Sequence, residues 1–136
     1  VPSTPSKIES IIKKNESLSD SISEALKSEE SLQRWGFEWA ATGDVAADLV
    51  ADDDDKAKIK AKYDVITNSL AYGKLQGALT IPEEKYKESI FETNKLLAEL
   101  LVKYNKVSRN TKIAIGVGAT AGLAGLLYWL KNKGVF

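Results

Sequence analysis

The chain has no cysteine, no histidine and no methionine, and only three prolines in 136 residues. Without cysteine there is no disulfide frame, no thiolate nucleophile and no thiolate metal site, and the redox compartment is left open. Without histidine the commonest general base and the commonest transition-metal ligand are both missing. A non-catalytic protein is therefore expected, with no cofactor and no small-molecule substrate. Phosphate-binding signatures are missing too: Gly116-Val117-Gly118 lies inside an apolar run and does not follow a strand. The first ten residues, VPSTPSKIES, hold no apolar stretch of the kind a secretory signal needs.

Acidic and basic residues balance at 19 each, but unevenly along the chain. Residues 1–55 carry 13 acids and 5 bases, and residues 56–136 carry 6 acids and 14 bases. That split fits either antiparallel helices facing one another or charge-guided packing between subunits.

No β alternation persists, and apolar spacing of three and four residues recurs. The expected fold is all-α, with three or four helices and a very long last one. Ser6 and Glu9 form a capping-box pattern beside Pro5. Ile8, Ile11, Leu18, Ile22, Ala25 and Leu32 then make a stripe, with Asn15 and Glu29 as polar gaps, which predicts a helix over about 6–33. Gly43-Asp44 reads as a break before a short helix at 44–51. A helix over about 53–76 carries Ile59, Tyr63, Ile66 and Leu70, and Gly73 and Gly77 weaken its end. Thr80 and Glu83 read as a second capping box, opening a helix over 82–108. The organisation expected is a helical domain over 1–108 and an apolar C-terminal helix with a short basic tail over 109–136.

The strongest feature is IAIGVGATAGLAGLLYWL, the uncharged residues 113–130. As a helix it spans about 27 Å, close to the ~30 Å hydrocarbon layer of a bilayer. Lys112, Lys131 and Lys133 flank it, and Tyr128 and Trp129 stand where an interfacial aromatic belt would lie. Ala114, Gly118, Ala121, Gly122 and Gly125 share a face at spacings of three and four, a small-residue ridge on which another helix can approach closely. A single C-terminal membrane span is expected, with burial inside a protein assembly as the alternative. Lys103, Lys106, Arg109 and Lys112 precede the run, which places the N-terminal domain on the cytoplasmic-type side.

Other motifs are weaker. Asp52-Asp53-Asp54-Asp55-Lys56 lacks the alternating oxygens and the glycine of a calcium loop, and reads as a solvated helix start. Lys56, Lys58, Lys60 and Lys62 read as a solvated face rather than a phosphate contact. Trp35, Phe37 and Trp39 are large anchors, either for a core or for an interface with another subunit. In layout the chain is similar to the coat subunits of filamentous phages, with an acidic amphipathic start, an apolar helix with small residues and a lysine-bearing end. Two functions follow as expectations. The first is a non-catalytic structural subunit of a membrane-associated assembly, with lipid and copies of itself or other subunits as partners. The second is a virion or filament coat subunit packed around nucleic acid or a lipid layer.

Overall fold

The computed structural model describes residues 4–105, with side chains for residues 7–104. Among them are five α-helices and no strand: α1 (Thr4–Ala25), α2 (Glu29–Asp48), α3 (Asp53–Ser69), α4 (Leu75–Leu79) and α5 (Glu83–Asn105). The all-α class holds, with five helices in place of the expected three or four. Whether α5 runs on into the apolar segment lies outside the described residues.

The four long helices form a closed ring of neighbours: α1 packs on α2 and α5, and α3 packs on α2 and α5. The short connections at 26–28 and 49–52 make successive helices antiparallel, giving an up-down-up-down bundle. Helix α4 bridges α3 to α5 and leans on α2. The N-terminal ends of α1 and α3 and the C-terminal ends of α2 and α5 therefore share one end of the bundle.

Three helix boundaries differ from the sequence reading, each for a local reason. The stripe over 6–33 is split between two helices. Ser28 is extended (φ −157°, ψ 160°), its Oγ accepts from the Ser31 N–H at 3.1 Å, and the Ser31 hydroxyl donates to the Ala25 carbonyl at 2.7 Å. Glu29 and Glu30 then occupy the first turn of α2, where the helix dipole favours negative charge. No break occurs at Gly43-Asp44, and α2 runs through to Asp48. Gly43 serves a close helix approach instead, because a Cβ there would lie 2.7 Å from Tyr63 Cγ. Helix α3 stops at Ser69 rather than near 76, and the chain turns through Gly73 at φ +80°.

The second capping box does not form. The Thr80 hydroxyl donates back to the Gly77 carbonyl at 2.6 Å, closing α4 rather than opening α5. The acidic run does start α3, with Asp52 Oδ1 accepting from the Asp55 N–H at 3.0 Å, but it is not wholly solvated, since Asp55 is buried.

The core is a single cluster drawn from all five helices. Ile8, Ile12, Leu18 and Ile22 of α1 meet Leu32 of α2, Ile59 of α3, and Ile90, Leu97 and Leu101 of α5, all essentially inaccessible. Trp35 and Trp39 stack at 5.8 Å between centroids, with ring planes 8° apart. Each indole N–H is satisfied across a helix boundary: Trp35 donates to the Leu18 carbonyl at 2.8 Å and Trp39 to the Tyr63 carbonyl at 3.1 Å. Together with the edge contact of Trp35 on Tyr86, the pair ties α2 to α1, α3 and α5.

Candidate assembly surface

The anchor trio divides. Trp35 and Trp39 are buried in the core, whereas Phe37, on the outer side of the same helix, is 67% exposed. Helical geometry explains the split, since residues two apart point about 200° apart around an axis of 3.6 residues per turn. Phe37 is therefore the member of the trio left on the outer surface. The helix-packing residues Ala114, Gly118, Ala121, Gly122 and Gly125 lie outside the described residues, as do the membrane-interface residues Lys112, Tyr128, Trp129, Lys131 and Lys133. Among the described residues no helix is long and apolar enough to cross a membrane.

Inside the bundle are two polar clusters that the sequence reading did not single out. The first lies at mid-height. The Tyr63 hydroxyl of α3 donates to Asn15 Oδ1 of α1 at 2.9 Å. Asn15 Nδ2 donates to Asn94 Oδ1 of α5 at 2.9 Å and lies 2.7 Å from the same tyrosine hydroxyl. Asn94 Nδ2 donates onward to the Ile12 carbonyl at 3.1 Å. Both asparagines are wholly buried, and no buried side-chain nitrogen or oxygen among the described residues lacks a partner. Burial raises the Tyr63 hydroxyl well above its ordinary pKa of 10.0, against a smaller lowering by Asn15, so it stays protonated and keeps donating. The signal for this network was present in the sequence as Asn15, the polar gap in the apolar stripe of α1.

The second cluster sits at the end of the bundle that holds the last described turn of α5. Asp55, in the first turn of α3, is buried. Its Oδ2 accepts from Lys103 Nζ at 2.7 Å and from the Tyr104 hydroxyl at 3.1 Å. The lysine hydrogen bond lowers the Asp55 pKa most, burial opposes it, and the tyrosine lowers it further. Lys103 is raised in turn, chiefly by the same hydrogen bond. Tyr104 is raised by burial and then by Asp55. This latch fastens the last described turn of α5 to the start of α3. It also accounts for one carboxylate of the acidic run at 52–55. Among the described residues no three acidic side chains come together as a metal site.

Outside, two grooves flank α3. A cavity of about 780 Å³ lies between α2 and the α3–α4 turn, with Phe37 and the fully exposed Tyr72 on its walls. A second, of about 360 Å³, lies between α3 and α5, with Val65, Ile66, Ile81 and Tyr86 among its lining and Lys62, Lys85, Glu88 and Glu92 as its charged members.

Charge is distributed more sharply than the two sequence halves indicated. All 19 acids fall in residues 1–105, and residues 106–136 carry five bases and no acid. Comparison with protein-family models, curated proteins and solved structures found no match.

Proposed function

We propose that this protein is a non-catalytic structural subunit of a membrane-associated, multi-subunit assembly. The observation that carries the reading is the uncharged run 113–130, flanked by Lys112 and Lys131 and following α5 by only a few residues. Such a run requires lipid or protein around it, since a contiguous apolar surface of that size is not left in water. Its small-residue ridge, Ala114, Gly118, Ala121, Gly122 and Gly125, suits close packing on a neighbouring helix. The bundle supports the reading from its side. The Asp55–Lys103–Tyr104 latch holds the end of α5 to α3 at the point from which the segment departs, so force on the segment passes into two helices rather than one. The connecting residues 106–112 carry Lys106, Arg109 and Lys112, which suit contact with anionic headgroups.

Alkaline carbonate washing of membranes containing the full chain tests this. Retention in the pellet, with release only by detergent, is the expected result, and release by carbonate alone overturns the membrane anchor. Replacing both Gly118 and Gly122 by leucine is expected to dissolve the assembly while leaving the chain in the membrane. A coat-subunit role is the second reading, favoured by the layout of acidic start, apolar helix and lysine-bearing end. Purified particles containing nucleic acid would select it.

A further inference from the structure

The segment that joins α3 to α5 is packed unlike the rest of the bundle. From Ala71 to Lys74 every residue is exposed, and within α4 only Ala78 is buried. Three open grooves border it. The groove of about 780 Å³ touches residues 70–73, 75 and 76, one of about 500 Å³ touches 73, 74, 77, 78 and 81, and the one of about 360 Å³ reaches Ile81. Helix α4 is also too short to hold itself. An isolated helix in water needs roughly 12–15 residues, and this one has five, with Gly77 in the middle. Lys74 precedes it and supplies no side-chain cap. Gly73, at φ +80°, turns the chain on one side, and Pro82, which has no N–H, bounds the other. Among the described residues, one hydrogen bond ties α4 to another helix: the Tyr86 hydroxyl of α5 donates to the Ala78 carbonyl at 2.7 Å. Behind it, the Trp35 ring meets Tyr86 edge-on at 6.1 Å.

We propose that the segment from Ala71 to Ile81 is a flap, hinged at Gly73 and just before Pro82 and clasped by Tyr86, that opens as a unit while the four long helices stay packed. The ring of contacts among α1, α2, α3 and α5 closes without α4, so opening leaves it whole. The apolar contact given up is small: Ala78, and parts of Leu75, Leu79 and Ile81. Against it stands the conformational freedom regained by the whole segment. Segments with few buried apolar contacts and solvent-exposed backbone are the ones that open locally in native proteins. Opening joins the three grooves into one cleft, with Tyr86 on its floor and Trp35 behind it. The cleft lies at the end of the bundle opposite the last described turn of α5. The bundle thereby carries a covered aromatic surface that it exposes without unfolding. This motion does not depend on what surrounds residues 113–130.

Hydrogen exchange on the full chain in detergent is the test. It is read at the Ala78, Thr80 and Ile81 amides, which bond within the segment, and at the core amides of α5 from Leu97 to Leu101. The flap amides are expected to exchange at least about a hundredfold faster than the core amides, at rates that low urea leaves unchanged, because local opening exposes little surface. Tyr86→Phe removes the clasp and is expected to speed the flap amides about three- to tenfold. Gly77→Ala is expected to slow them a few-fold, since the added Cβ meets open space and alanine favours the helix. Asn94→Leu weakens the core network in the closed and the open flap alike. It is therefore expected to speed the core amides and leave the flap amides unchanged. Flap amides that follow the core amides under Asn94→Leu, or that speed with urea as the core does, open only with the whole bundle and overturn the proposal. A Tyr86→Phe chain whose flap amides keep the wild-type rate overturns it as well.

Discussion

The two polar clusters both tie α3 to α5, one through Asn15 of α1 and the other directly, by opposite means. At mid-bundle, Asn15, Tyr63 and Asn94 are neutral and sealed from water, and they bond to one another and, through Asn94, to the Ile12 carbonyl. At the base, Asp55 is buried, but its partner Lys103 has a side chain 54% exposed. The neutral network gives specificity: buried amides that accept only one register penalise every helix arrangement that leaves them unpaired. The charged latch works at the edge of solvent, where hydration already satisfies the lysine, so it contributes less to stability and responds to conditions. One cluster sets how the helices align, and the other ties the last described turn of α5 to the start of α3.

The largest expected effect comes from breaking the neutral network. Asn94→Leu removes the acceptor for Asn15, leaving one Asn15 N–H buried without a partner, and takes from the Ile12 carbonyl its second donor, though not its helical one. At about 1–3 kcal/mol for the stranded amide and about 1 kcal/mol for the lost bond to the Ile12 carbonyl, a loss of roughly 2–4 kcal/mol is expected in urea unfolding of the full chain in detergent. A loss under about 0.5 kcal/mol would show that the network adds nothing beyond packing.

A smaller effect is expected from the other side of Tyr63. Gly43→Ala puts a methyl 2.7 Å from Tyr63 Cγ and 2.9 Å from Cδ1, and the ring is pinned by its hydroxyl on Asn15 and by Trp39 at 4.4 Å. Overpacking of this kind costs about 1–3 kcal/mol. Gly36→Ala serves as its control. There the new methyl meets Leu70 Cδ1 at 2.7 Å, the far end of a flexible side chain, so the higher helix propensity of alanine, up to about 1 kcal/mol, offsets the clash. The pair of melting temperatures should therefore separate, with Gly43→Ala below wild type and Gly36→Ala close to it. Equal losses would mean that the ring is free to move and the network does not hold it.

The same residues explain what was and was not legible in the chain. The helical class, the start of α3 within the acidic run at 52–55 and the core stripe of α1 followed from apolar spacing and the charge preference of helix starts. Gly43-Asp44 did not, because a glycine that admits a neighbouring ring and a glycine that turns the chain look alike without the partner helix. Ser28 was passed over because the stripe from Ile8 to Leu32 keeps its period across the turn, while a serine pair worth only a few local hydrogen bonds decides where the chain reverses. Asn15 was visible as a gap in that stripe, yet its partners lie 48 and 79 residues away. Of the aromatic trio, alternation within a helix placed Trp35 and Trp39 inside and Phe37 outside, but which face was inside depended on the other helices.

The smallest effect, and the one that separates the two clusters most cleanly, is the pH dependence of the latch. The Asp55 pKa is lowered from its ordinary 3.8, so its contribution to stability is present above about pH 4 and is lost as pH falls through the folded-state value. Lys103 is raised from 10.5, so its share is complete below that pH and is lost only as pH rises through the folded-state value. Between those limits the latch is fully charged and pH has no hold on it. Asp55→Asn is therefore expected to lower the melting temperature by a few degrees at pH 7, and the gap to wild type should close as the pH is taken from about 5 toward 2. Many other carboxylates protonate over that range, but they are common to both chains and cancel in the difference. Asn94→Leu should show no such closure, because asparagine does not titrate and the Tyr63 hydroxyl, raised above 10.0, stays protonated throughout. If the Asp55→Asn gap stays constant down to pH 2, the carboxylate acts at that site by shape and not by charge, and the distinction between the two clusters fails.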